Sequence, residues 1–118
     1  LLKTDLLTKI GSQNGVNFLI ENVTVPTADA LKNLAFEIQS SQEDIFCLLT
    51  SEIEGKASLA LAISKSLVDN KGLNAGQIIR DLAKEVQGGG GGQAFLATAG
   101  GQNPAGIPKV LELAKNYL

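Results

Sequence analysis

Residues 45–63 have the sequence IFCLLTSEIEGKASLALAI, which predicts a β-hairpin. Residues 45–49 form a continuous apolar run, and residues 57–63 alternate large with small side chains. The turn sequence at 54–56 contains a glycine between two polar residues. The large residues of the second strand would face one layer, and its small residues would let a second layer approach the opposite face. This pattern suits a sheet packed on helices.

The residues before the hairpin predict a helix, a strand and a second helix. Residues 1–10 carry leucines and an isoleucine on one helical stripe that stops at Gly11, as at the end of a longer helix. Residues 16–25 are rich in strand formers and end at Pro26. Thr27 can cap a helix that runs to about residue 40.

The residues after the hairpin predict two further helices around a glycine-rich region. Asn74 and Gln77 have the spacing of a capping box, and an apolar stripe follows them until five consecutive glycines end the helix. Residues 94–97 are a candidate short strand. Asn103 and Pro104 then begin a terminal helix. The order of elements predicts a single α/β domain, a small mixed β-sheet flanked by helices.

Composition excludes several classes of site. The 118 residues include one Cys and no His, Met or Trp. Without imidazole there is no Ser-His-Asp or Cys-His pair and no zinc site of the usual kind. A solitary Cys within an apolar strand predicts an inert thiol and a reduced, cytoplasmic location. The chain starts at Leu1, so we expect it to have been cut from a longer protein, and no apolar stretch is long enough to predict a membrane span.

The charge is uneven although the net value is only −2. Residues 1–55 hold eight acidic and three basic residues, whereas residues 56–118 hold four acidic and seven basic residues. An anionic partner would therefore meet the second part of the chain. An ordinary solvated surface with an uneven count by chance explains the numbers equally well.

The glycine run at 88–92 is the outstanding candidate site. Consecutive glycines let backbone N–H groups approach a ligand closely, as in loops that hold phosphate. A dinucleotide fingerprint or a Walker loop does not fit, because this run follows a helix and no Lys occurs between residues 88 and 107. The competing interpretation is a flexible linker. The candidate nucleic-acid-binding residues are Lys56, Lys65, Arg80, Lys84, Gly88, Gly89, Gly90, Gly91, Gly92 and Gln93.

The sequence AGQIIRDLAKEVQ at 75–87, the glycines, ATAGG at 97–101 and the Asn-Pro-capped last helix together resemble the C-terminal domain of bacterial alanyl-tRNA synthetases. The resemblance covers essentially the whole chain. It implies a fold shared with the accessory domain of DHH phosphoesterases, in which the glycines are commonly followed by His, whereas this chain has Gln93. Residues 1–11 would be the end of a connecting helical region, and residues 12–118 the globular domain.

The function implied by the resemblance is noncatalytic. Such a domain binds the outer corner of tRNA(Ala) and helps aminoacylation and editing act on one tRNA. Its partners would be tRNA(Ala), the other domains of the synthetase and a second copy joined through the upstream helical region. No cofactor is expected in this chain, because the sites for ATP, Mg and Zn would belong to other domains of the parent enzyme.

Two other functions stay open at this point. The leucine stripe of residues 1–10 favours an oligomerisation or interdomain scaffold. The shared fold favours a substrate-holding accessory domain of a DHH-type phosphoesterase.

Overall fold

The computed structural model describes residues 2–118, which form one mixed six-stranded sheet with helices on both faces. The helices are α1 (Leu2–Leu7), α2 (Ala28–Ser41), α3 (Lys65–Lys71), α4 (Ala75–Ala83) and α5 (Ile107–Ala114). The strands are β1 (Gly11–Gln13), β2 (Val16–Asn22), β3 (Ile45–Ile53), β4 (Lys56–Ile63), β5 (Gly88–Gly92) and β6 (Leu96–Gly101). Short 3-10 turns follow α4 and flank α5.

The sheet has the order β1-β2-β3-β4-β6-β5. Strands β2 and β3 are parallel, with α2 as the crossover between them, and the other neighbours are antiparallel. The predicted α/β class and mixed sheet are therefore confirmed. The hairpin predicted from residues 45–63 is β3–β4, at the centre of the sheet.

Each face of the sheet carries its own core. Leu59, Leu61 and Ile63 of β4 belong to the cluster that α4 and α5 cover, while Ala60 and Ala62 belong to the cluster that α1 and α2 cover. The small residues thus let α2 pack closely on β4, as the alternation predicted. Helix α2 packs on β3 and β4, whereas the helix that mainly contacts β5 is α4, so this face of the sheet is covered only over part of its width.

Two of the three predicted helix caps form, and the third does not. The hydroxyl of Thr27 accepts a hydrogen bond of 3.0 Å from the backbone N–H of Ala30, and Asn74 Oδ1 accepts one of 3.1 Å from Gln77. Both helices therefore begin where their caps predicted. Asn103 makes no such side-chain bond, because a 3-10 turn at Pro104–Gly106 separates it from α5.

Five local predictions are wrong. Gly11 does not end a helix but begins β1, and β2 stops at Asn22. The sequence pattern predicted no helix between the hairpin and Asn74, but this segment contains α3, and the strand expected at residues 94–97 begins at Leu96. The five glycines predicted as a loop form the edge strand β5.

The apolar stripe at the start of the chain packs on its own domain. Leu6 is 2% exposed in the α2 cluster, and Leu7 and Ile10 pack against that cluster. The expectation of an exposed or interdomain stripe is wrong for Leu6, whereas Leu2 is 39% exposed. A separation of residues 1–11 from the globular domain stays a prediction.

Replacing Leu6 with Ala should lower the free energy of unfolding by about 2–5 kcal/mol, because it leaves a cavity in a closed core. The measurement is urea denaturation followed by circular dichroism. Leu2→Ala is the matched control and should change stability by less than about 0.5 kcal/mol, because its side chain is largely in water. Equal stabilities for the two variants would contradict the packing of α1.

Burial raises the pKa of the Cys47 thiol to about 12. The reactive species is the thiolate, so the folded protein should resist a thiol reagent such as Ellman's reagent even at mildly alkaline pH. The unfolded chain in guanidinium chloride should react at once. Rapid labelling of the folded protein would contradict the position of Cys47 in the core.

Candidate functional site

The five glycines of β5 pair along their full length with β6. The register places Gly88 opposite Gly101 and Gly92 opposite Ala97. The ladder ends in a hydrogen bond of 2.9 Å from the N–H of Gln93 to the carbonyl of Leu96. Because hydrogen-bonded and non-bonded pairs alternate in an antiparallel ladder, the peptide groups of Gly88, Gly90 and Gly92 point away from β6. Strand β5 thus presents both backbone N–H and C=O groups at the edge of the sheet.

The five glycines differ in whether the structure has room for a side chain at their position. A Cβ added to Gly90 would overlap the carbonyl oxygen of Thr98 and lie 2.5 Å from Ala99 Cα. Gly88 and Gly92 would meet the backbone of β6 in the same way. A Cβ at Gly89 would meet nothing within 4 Å, and one at Gly91 would meet only Arg80 at 3.4 Å. Alternate glycines are therefore required for close strand contact, and the two between them are not.

An open trough lies on the α2 side of β5 and β6, where no helix covers the sheet. We call it the glycine trough. Three successive cavities of about 470, 390 and 270 Å³ form it. Adjoining cavities share residues, with Ser58 and Gly89 between the first two and Lys32 between the last two. Its floor is Gly88–Gly92 with Thr98 and Gly100, its walls are Ala28, Lys32 and Ser58, and its ends are Lys56 and Phe95.

Two lysines give the trough its positive charge. Lys56 lies at one end and Lys32 in the wall between the second and third cavities, where Asp29 is the acidic neighbour. Among residues 2–118 the ion pairs are Lys9 with Glu21, Lys84 with Asp81 and Lys109 with Glu112. Lys32 and Lys56 take part in none of these pairs. Their ammonium groups can therefore meet an anion in the trough.

The structure separates the predicted basic residues. Lys56 lines the trough, whereas Lys65 lines another cavity beyond Phe95. Arg80 lies beside Gly91, and Lys84 forms an exposed ion pair of 3.6 Å with Asp81. The five glycines and Gln93 line the trough itself. Lys32 was not among the predicted residues, because it belongs to the acidic part of the chain. Only its helical spacing of four from Ala28 could have indicated a shared face.

Asp81 affects the pKa of Tyr117. Partial burial raises the pKa of Tyr117, and the charge and hydrogen bond of Asp81 raise it further. Asp81 also forms the exposed ion pair with Lys84. This leaves Lys84 with its charge compensated, unlike the lysines of the trough.

The amino end of α4 is already occupied. The N–H groups of Ala75 and Gly76 donate to the carbonyls of Ala94 and Gln93, at 2.8 and 3.1 Å. The side chain of Asn74 caps Gln77. These amides hold the β5–β6 connection and are not free for an anion. No cluster of three metal-binding side chains occurs in residues 2–118, and none of the helices there has the length and apolar character to span a bilayer.

A model of the DHHA1 domain family matches residues 15–118. The chain belongs to the DHHA1 domain family. The resemblance predicted from the glycine run and its flanking segments is therefore confirmed.

Relatives and solved structures extend this comparison. The chain is 49% identical over 117 residues to alanine–tRNA ligase of Christiangramia forsetii. This match covers 99% of this chain and 13% of the ligase. It is 39% identical over 114 residues to alanine–tRNA ligase of Cytophaga hutchinsonii, covering 97% of this chain and 13% of that protein. This DHHA1 domain thus spans about an eighth of the ligases it matches. The crystal structure of the C-Ala domain from Aquifex aeolicus alanyl-tRNA synthetase matches with a TM-score of 0.78 and 27% identity, covering 92% of this chain and 96% of that one.

Gly90→Ala should lower the free energy of unfolding by about 1–3 kcal/mol, because the new methyl group overlaps β6. The matched variant Gly89→Ala should fold with unchanged or slightly higher stability, because its methyl group enters open space and glycine is costly within a strand. Thermal unfolding by circular dichroism measures both. Similar losses in the two variants would contradict the alternation along β5.

Proposed function

We propose that this chain is the noncatalytic C-terminal domain of an alanine–tRNA ligase and that it binds tRNA through the glycine trough. The observation that carries the proposal is the trough itself, whose floor is a strand without side chains and whose two lysines have no ion pair among the described residues. Lysines bind phosphate without reading bases, and a floor without side chains lets a phosphate backbone approach closely. The similarity to alanine–tRNA ligases over nearly the whole chain supports tRNA as the nucleic acid.

The bound region would be the outer corner of tRNA(Ala). A shallow surface with point charges and a floor without side chains recognises the shape of an RNA backbone better than its sequence. Holding the tRNA at its corner would leave its acceptor end free for the aminoacylation and editing sites. Those sites, with their ATP, Mg and Zn, would belong to other domains of the parent ligase, which would act in the cytoplasm.

The two competing functions have less support. A scaffold would need the leucine stripe to contact another domain or chain, but Leu6 of that stripe is buried within this domain. For the phosphoesterase accessory role, the backbone of Gln93 is engaged by Leu96 and Gly76, and its side chain is an amide in place of the imidazole that such domains commonly carry.

Binding of a tRNA(Ala) transcript should be sensitive to salt and to both trough lysines. Lys32→Ala and Lys56→Ala should each weaken binding and reduce the slope of log K against log salt by about one unit, because each removes one phosphate contact. Fluorescence anisotropy of labelled tRNA at several salt concentrations measures this. Lys109→Ala is the matched control, because it removes the same charge from α5, where Lys109 pairs with Glu112.

A hairpin containing only the acceptor stem should bind more weakly than the full transcript, since it lacks the outer corner. Equal salt slopes for the wild type and the two trough variants would refute the trough as the RNA surface. Equal affinity for the hairpin and the full transcript would refute the corner as the bound region.

A further inference from the structure

Phe95 combines an exposed ring with a fixed backbone. Its side chain is 41% exposed at the tip of the β5–β6 hairpin. Its carbonyl accepts a hydrogen bond of 2.9 Å from the N–H of Ile63. The neighbouring carbonyls of Gln93 and Ala94 accept from the first two amides of α4. An exposed aromatic side chain on so restrained a backbone loses little conformational entropy when it binds a ligand.

The ring of Phe95 stands between two cavities. On one side it closes the glycine trough near Lys32. On the other side it lines a separate cavity of about 300 Å³, which we call the Phe95 pocket, together with Gln39, Lys65, Val68 and Asp69. The Nε2 of Gln39 donates to the carbonyl of Ile63 at 3.2 Å, which fixes that wall. A strand of nucleic acid that leaves the trough would therefore pass Phe95 next.

We propose that the Phe95 pocket binds an unpaired nucleobase of the RNA whose backbone follows the trough. The inference rests on the proposed function and names a subsite of it. The aromatic ring and Val68 offer apolar surfaces to a flat base, and the Asp69 carboxylate can accept a hydrogen bond from an exocyclic amino group. Lys32 and Lys65 lie on either side of the ring, where the phosphates flanking that base would pass.

Charge favours a nucleotide over an apolar peptide in this pocket. Phe95 is shared between the pocket and a trough whose two lysines lack ion pairs among the described residues. A peptide side chain would fill the apolar space but would leave those ammonium groups unmatched. A nucleotide supplies both the flat apolar ring and the anion.

Phe95→Ala should weaken binding of the tRNA(Ala) transcript about 10-fold, as expected for loss of one stacked base. The slope of log K against log salt should stay unchanged, because no phosphate contact is lost. Phe95→Leu keeps an apolar side chain in the hairpin and should show most of the same loss. Phe36→Ala is the matched control, because Phe36 is similarly exposed at 44% but lines neither cavity.

The direct probe is a short single-stranded RNA with 2-aminopurine at its centre, whose fluorescence falls when the base stacks. Wild type and Phe36→Ala should quench it, whereas Phe95→Ala and Phe95→Leu should not, and the same RNA in a duplex should not be quenched. Equal quenching by wild type and Phe95→Ala, or none by wild type, would overturn the base subsite. If tRNA binds wild type and Phe95→Ala equally while an apolar peptide loses binding to Phe95→Ala, the pocket belongs to a protein partner and the inference fails.

The failures of the two proposals are distinct. Tight, lysine-dependent tRNA binding without quenching would remove only the base subsite. Quenching of the short RNA without any binding of the tRNA transcript would instead remove tRNA as the ligand of the trough.

Discussion

The close approach of β5 to β6 is the constraint on which the rest of this surface depends. The backbone of β6 occupies the space that a Cβ at Gly88, Gly90 or Gly92 would need. Only a strand without side chains at these positions can lie there. The same absence of side chains leaves the face toward α2 bare, so the strand that closes the sheet also opens the trough. The lack of side chains on β5 therefore explains both its close packing on β6 and the accessibility of the trough.

A second consequence is the position of the hairpin tip. Because β5 and β6 pair tightly up to Gln93 and Leu96, the two residues between them have little freedom. The first amides of α4 and the N–H of Ile63 then anchor their carbonyls. Two separate parts of the chain, the start of α4 and the end of β4, thus hold Ala94 and Phe95. The aromatic ring is displayed by the architecture of the domain and not by a mobile loop.

Much of the fold could be predicted from patterns that rest on side chains. The alternation along residues 57–63 predicted two core layers, and Thr27 and Asn74 predicted helix starts, because these signals are physically local. The glycine strand could not be predicted in this way. A run of glycines has no alternation of side chains and a poor strand propensity. It is a strand because it pairs with β6, and no pattern within the run indicates that pairing. Similarly, α2 and the β5–β6 connection bring Lys32 and Phe95 to one cavity although the two residues are 63 positions apart in the sequence.

The occupied amino end of α4 also orders the folding of the domain. Five glycines lose more backbone freedom on becoming a strand than any other residues would, and they contribute no apolar side chains in return. We therefore expect the β5–β6 hairpin to dock onto β4 and α4 after these have assembled. We expect it to be the last cooperative unit to close and the first to open. A chain that has not finished folding would then have no trough, so nucleic acid would encounter this surface only on completed molecules.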